Sequence, residues 1–209
     1  MTNKAKNQIE FIQDIFNVSA SLNLKTFFWG GFAVDILHGA LTREHNDIDC
    51  FTENLVENKD KIVLAFESLG YSVGFYLEDF WMLEIKKHEI HATFNTVRNI
   101  DGIAHWHHAG SHGTVFFPYE WLDKEPRDFY GSYAYTMGVE LAYLIKTNVK
   151  LISAEWQLRD RDKADIAILE QILASKDISV DNIRNKVWSH NPYWYAKGYN
   201  EYFLPVILS

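Results

Sequence analysis

One cysteine, Cys50, in 209 residues leaves no intramolecular disulfide and no multi-cysteine zinc site to consider. Basic residues are also sparse. Twenty Lys and Arg stand against 28 Asp and Glu, for a formal net charge of −8. Proteins that grip nucleic acid take that grip from Lys and Arg on phosphates, so the balance argues against such a partner. It is compatible with a cationic small molecule drawn by acidic groups. No apolar run approaches the roughly 20 residues of a membrane span, and no secretory signal opens the chain, so the expectation is a cytoplasmic protein with no membrane partner. Internal repeats and low-complexity segments are lacking as well.

What remains is ordinary globular material, 47% apolar and 23% charged, enough for one sizeable domain or two small ones. Its 7 Trp, 11 Tyr and 14 Phe crowd toward the second half and favour core and interface over a stacking surface. Apolar positions from Ile9 to Leu22 fall on a helical stripe over 7–22. Thr26 to Trp29 reads as a short buried strand, followed by a helix from about 31 to 38 that stops near Gly39. Asp47 to Phe51 is a second strand. Residues 55–69 suit a helix closed by Gly70, with strands predicted over Tyr71–Tyr76, Trp81–Lys86 and Glu89–Asn95. The 100–122 segment reads either as short strands or as a long functional loop. Helical patterns then return near Thr136, over Asp160–Leu173 and over Val180–Trp188. The expected fold is α/β (α+β), a mixed sheet flanked by helices in residues 1–130, followed by a C-terminal helical region in 131–209.

The chemistry concentrates between Trp29 and Phe51. On a strand, side chains at i and i+2 share a face with Cα atoms roughly 6.5–7 Å apart. Asp47 and Asp49 can therefore present two carboxylates side by side, as a hard divalent cation such as Mg²⁺ requires. Gly30 and Gly31, between a strand and a helix, let backbone N–H groups approach a phosphate. A third carboxylate is usually needed beside such a pair to hold two ions, clamp phosphates and activate a hydroxyl. Glu89 is one candidate, as ligand or general base, and Glu84 on the neighbouring strand is its rival. The bland alternative is a pair of solvated strand residues.

These residues carry a resemblance. Gly-Gly-x-Ala-x-Asp from Gly30, then Gly39, then Thr-Arg-x-His-x-Asp-Ile-Asp ending at Asp49, resembles the signature of antibiotic nucleotidyltransferases of the polymerase-β-like superfamily. The nearest likeness is to the lincosamide and aminoglycoside 2''-nucleotidyltransferases. The match is strong over 29–51 and fainter over Glu84–Phe94. There Glu89-Ile90-His91-Ala92 resembles a family strand reading Asp-x-(His/Glu)-Pro and puts the third carboxylate at Glu89. The chain departs here, with Glu for Asp and Ala for Pro; a register slip of two places His91 there instead. In the helical part, Val139-Glu140-Leu141 through Lys146 and Arg159 through Ile166 are similar to the segment whose basic residues reach the triphosphate. Lys146 is the position carried over. Arg161 and Lys163 read as helix surface, and Asp162 and Asp165 as residues that orient bases or touch ligand.

The resemblance implies a nucleotidyltransferase that moves NMP, AMP from ATP, onto a hydroxyl of a small molecule, an aminoglycoside or lincosamide, and releases pyrophosphate. Asp47, Asp49 and Glu89 would serve the metal and the catalysis. Gly30, Gly31 and Lys146 would hold the phosphates, with the C-terminal helices closing over the nucleotide. Arg43 either touches phosphate or pins its turn through a carboxylate such as Asp35. The cluster His105, His107, His108 and His112 reads as a loop near the substrate, and Trp121/Trp156 and Tyr193/Trp194/Tyr195 as packing. Two rivals stay open: a toxin–antitoxin or defence-type enzyme acting on protein or RNA, and a degenerate nucleotide-binding protein without turnover.

Overall fold

The opening apolar stripe folds as α1 (Asn3–Ser21), N-capped by Thr2, whose hydroxyl accepts from the Ala5 N–H at 3.1 Å. The computed structural model describes residues 1–77, 81–108, 113–148, 157–183, 188–190 and 204–205. By its internal contacts the chain divides into two units. One comprises Met1–Val97 with Leu122–Met137, the other Arg98–Trp121 with Gly138–Ser209. The lines between them differ from a single cut at residue 130.

In the first unit, β1 (Thr26–Trp29) leads directly into α2 (Gly30–His38), which stops at Gly39 with φ of 84°. Next come β2 (Asp47–Glu53), α3 (Leu55–Ser68), β3 (Ser72–Leu77), β4 (Met82–Lys87) and β5 (Ile90–Ile100). β2 lies antiparallel to β1 and parallel to β5, while β4 lies antiparallel to both β3 and β5. Register divides the sheet cleanly. Phe28, Cys50, Phe94 and Leu83 form one cross-strand row on the inner face, and Ile48, Ala92 and Ile85 another. All seven are buried against Phe11, Ile12 and Ile15 of α1 and Ile62 and Phe66 of α3. Fully burying each large apolar side chain contributes about 1.5–3 kcal/mol, so this face locks the register of β2. The opposite face then follows from the two-residue period: Trp29, Asp49, Thr93 and Glu84 make one row, and Asp47, His91 and Lys86 the next.

Three local expectations are corrected. Glu89 is not the first residue of a strand but sits with His88 in the exposed β4–β5 turn; His88 takes the left-handed conformation there, and β5 starts at Ile90. Residues 127–136 form a hairpin, β8 (Arg127–Phe129) and β9 (Ser132–Thr136), whose second strand runs parallel to β1. Its turn is Tyr130-Gly131, both at positive φ, a weaker hairpin signal than Asn-Gly. Of the helix expected over Val180–Trp188 the described residues show α6 (Val180–Ile183), and Trp188 stands in a strand instead.

The second unit contains the antiparallel pair β6 (Ile103–His108) and β7 (Gly113–Pro118), the strand reading of the 100–122 segment. β10 (Trp188–His190) is added along β7, and β11 (Leu204–Pro205) along β10. Helices α4 (Val139–Thr147) and α5 (Asp160–Ser175) bury Leu141, Ala142, Leu144, Ile145, Leu169 and Leu173. Among the described residues no helix is long and apolar enough to cross a membrane.

Candidate active site

The strand-to-helix junction shows why two glycines stand there. Gly30 has φ of 70°, and a Cβ on it would lie 2.5 Å from Asp49 Oδ2. A Cβ on Gly31 would lie 2.5 Å from His45 Nδ1 and 2.6 Å from an Arg43 guanidinium nitrogen. The signature's acidic and basic side chains therefore rest directly on the backbone that opens α2. Trp29, the N-cap residue, supplies no side-chain cap to that helix. The amide-rich, positive end of the α2 dipole thus lies beside the Asp49 carboxylate.

A buried network holds the loop between α2 and β2. Asp35 and His45 are 0% and 2% exposed. Asp35 Oδ1 accepts from the Thr42 hydroxyl at 2.6 Å and the Thr42 N–H at 3.1 Å, and its Oδ2 lies 2.6 Å from His45 Nε2. The Arg43 guanidinium lies 2.9 Å from His45 Nδ1. A guanidinium only donates, so Nδ1 accepts and the ring proton sits on Nε2, aimed at Asp35. Arg43 is thus linked to the Asp35 carboxylate through His45. Gln8 Nε2 donates to the His45 carbonyl at 2.7 Å. Gln8 escaped the sequence reading; its signal was a polar residue on the buried stripe of α1.

On the open face, Asp47 is exposed and Asp49 half-buried. Cys50, facing the core between them and the helices, has its thiol pushed well up by burial and then by the Asp49 charge, which leaves it protonated and inert. Of the two candidates for a third acid, Glu84 lies on the aspartate face and Glu89 lies one residue outside the ladder. Glu84 is buried; its Oε1 is 2.7 Å from Lys86 Nζ and its Oε2 is 3.7 Å from His91 Nδ1. A Cβ on Gly74 of β3 would overlap Glu84, so that glycine keeps the carboxylate's place open. Among the described residues, no group of three or more His, Cys, Asp or Glu converges as a metal-binding set.

Lys146 belongs to the second unit. It is 8% exposed, with its Nζ 2.7 Å from Asp165 and 3.3 Å from Asp162. Arg159, at the N-cap of α5, donates to Asp162 through Nε at 2.7 Å, through the outer guanidinium at 3.0 Å and through its backbone N–H at 3.1 Å. Burial alone pushes the Asp162 carboxyl up. The Arg159 bonds and the Lys146 charge outweigh it and hold the group well below the usual carboxylate range. Lys163, by contrast, pairs with Asp160 on the exposed surface. His105 packs edge-on against Phe116, and burial holds its ring pKa down. His112, Trp156, Tyr193, Trp194 and Tyr195 lie outside the described residues.

A mixed sheet with an Asp-x-Asp strand beside a Gly-Gly helix start is the architecture of the nucleotidyltransferase fold. Comparison with known proteins narrows this. The model of the aminoglycoside-2''-adenylyltransferase family matches residues 11–169, and the chain belongs to that family. The solution structure of the antibiotic-resistance factor ANT(2'')-Ia is similar with a TM-score of 0.64 at 16% identity, over 92% of this chain and 94% of that one. The lincomycin-bound lincosamide antibiotic adenylyltransferase LnuA is similar with a TM-score of 0.56 at 20% identity, over 76% and 93%. At these identities the likeness is one of fold. A lincosamide resistance protein of Staphylococcus haemolyticus is 30% identical over 92 residues, 42% of this chain. The chain spans about half the length of that curated relative.

Proposed function

We propose that this protein transfers a nucleoside monophosphate, AMP from ATP, to a hydroxyl of an aminoglycoside or lincosamide and releases pyrophosphate. The observation that carries the reading is the Asp47–Asp49 pair on the open face of β2, with Gly30 making room for the Asp49 carboxylate. That donor set fits Mg²⁺, which binds through one or two carboxylates, substrate phosphates and retained waters. Bound there, Mg²⁺ would neutralise charge developing on the α-phosphoryl group and the departing pyrophosphate.

The chain's own residues supply position and electrostatics. Asp47 and Asp49 would hold the ion; Gly30 and Gly31 offer backbone N–H groups to the outer phosphates, with Arg43 beside them. Glu89, from the turn before β5, takes the proton of the acceptor hydroxyl or completes the third acidic position. The acceptor oxygen forms the new bond to the α-phosphorus as the bond from that phosphorus to the bridging oxygen breaks. The electron pair leaves with pyrophosphate. Lys146 is carried over as a phosphate contact, although its two carboxylate partners compete for it. Residues 1–130 carry the chemistry in this reading, and 131–209 form the C-terminal helical part. A cytoplasmic enzyme would meet both ATP and an antibiotic that has entered the cell. One structure of ANT(2'')-Ia holds adenylyl-2''-tobramycin and that of LnuA holds lincomycin, which names the two acceptor classes to test.

The test is pyrophosphate release from ATP and Mg²⁺ across a panel of aminoglycosides and lincosamides, with mass spectrometry of each acceptor. A gain of one AMP on any acceptor establishes the reaction. Nucleotide binding without release across the panel moves the weight to a macromolecular target or a binding-only role. The position of Glu89 outside the ladder is the observation that favours the binding-only role. Comparing Glu89→Gln, Glu84→Gln and His91→Ala then separates the three candidates for the third position.

A further inference from the structure

We infer that the aspartate pair works with a single divalent cation, and that His91 is the residue that shuts out a second. This rests on the nucleotidyl-transfer reading and concerns only how many ions that site holds. Two ions about 3.5–4 Å apart repel strongly, and sites that hold them do so by sharing several carboxylates between them. Here the neighbours of the pair are fixed by the sheet ladder. The residue in register with Asp47 is His91, and beyond it stands Lys86; the residue in register with Asp49 is Thr93, and beyond it stands Glu84.

The imidazole brings no negative charge in either protonation state, where a carboxylate at the same place would. Glu84, the carboxylate on this face nearest to taking up the deficit, is already engaged. Lys86 Nζ sits 2.7 Å from one of its oxygens and His91 Nδ1 3.7 Å from the other. Its charge is answered inside the protein, and turning it toward a second ion would strip a buried carboxylate of its ammonium. Asp47 and Asp49 are thus the carboxylates of this face that lie outside the Glu84–Lys86–His91 group. Two carboxylates with substrate phosphates and waters complete one octahedral shell.

The experiment counts ions rather than turnover. The full chain is titrated with Mn²⁺ in the presence of a non-hydrolysable ATP analogue, and bound Mn²⁺ is followed by electron paramagnetic resonance. The expected result is one bound Mn²⁺ per chain with no spin–spin broadening, rising to two coupled ions in His91→Asp. Two coupled ions in the unaltered chain overturn the inference but leave the transferase reading standing. A count that stays at one in a folded His91→Asp variant shows that His91 is not the excluding residue, which also overturns it. Binding that is absent, or unchanged in Asp49→Asn, sinks the transferase reading and the inference with it. The stoichiometry of the unaltered chain decides the ion number even if the variant fails to fold.

Discussion

Two places in this chain bring carboxylates together, and they dispose of the charge in opposite ways. In the first unit, Asp47 and Asp49 stand on the open face of β2, one exposed and one half-buried, with His91 and Thr93 in register beside them. In the second, Asp162 and Asp165 are 2% and 1% exposed, share the Lys146 ammonium, and are closed off by Arg159. The second group is self-sufficient, because each charge taken from water meets a counter-charge within reach and no ligand is needed to neutralise it. The first keeps its contact with water. A pair of acids becomes a site or a strut according to whether the fold leaves it open to solvent or closes it in with counter-charges.

That contrast can be broken by mutation, most severely at Asp49. Asp49→Asn should lower kcat by on the order of 10³-fold or more, as loss of a group that stabilises developing charge does. A variant that keeps full turnover would show that the open pair is not the metal site. At the other pair the loss should appear in stability. Lys146→Met takes from two buried carboxylates the ammonium they share and should cost about 3–5 kcal/mol in urea unfolding. If nucleotide KM rises instead while stability holds, Lys146 serves the triphosphate and the contrast between the two places collapses.

Gly30→Ala sharpens the first side. Its Cβ has no room beside Asp49 Oδ2 and the backbone there is at positive φ. Displacing that carboxylate by about 1 Å should cost about 10²-fold in kcat, measured with saturating ATP. The smallest effect is a matter of pH. Because Asp162 is held below its unfolded value, its contribution to stability is in place above about pH 4 and is lost as pH falls from there toward the folded value. Urea unfolding between pH 6 and pH 3 should show the gap between the unaltered chain and Asp162→Asn narrowing as the solution is acidified.

Much of the first unit was legible. The α1 stripe, the β1–α2 junction, the Gly39 stop and the Asp47–Asp49 strand all follow from local rules: a 3.6-residue period, a glycine at positive φ, a two-residue alternation. The boundary at Glu89 was not. Glu89 and Ile90 differ by one position, and only pairing with β4 decides which of them opens the strand. The β8–β9 hairpin was hidden because its strands are three and five residues long and its turn is Tyr-Gly. Trp188 reads as helix by periodicity but is taken up in a ladder opposite Phe116, a partner 72 positions earlier in the numbering of the pair.

The sequence by itself determined the chemistry available: which residues are acids, that two of them alternate on one strand, and that a glycine pair precedes a helix. These are properties of neighbours along the chain, and covalent geometry carries them. Which acids stay open and which are neutralised was decided by tertiary structure alone. Lys146 and Asp162, or Glu84 and His91, meet only after helices pack and strands pair. The strength of a charge depends on what stands a few ångströms away in space, and that distance is set by the fold.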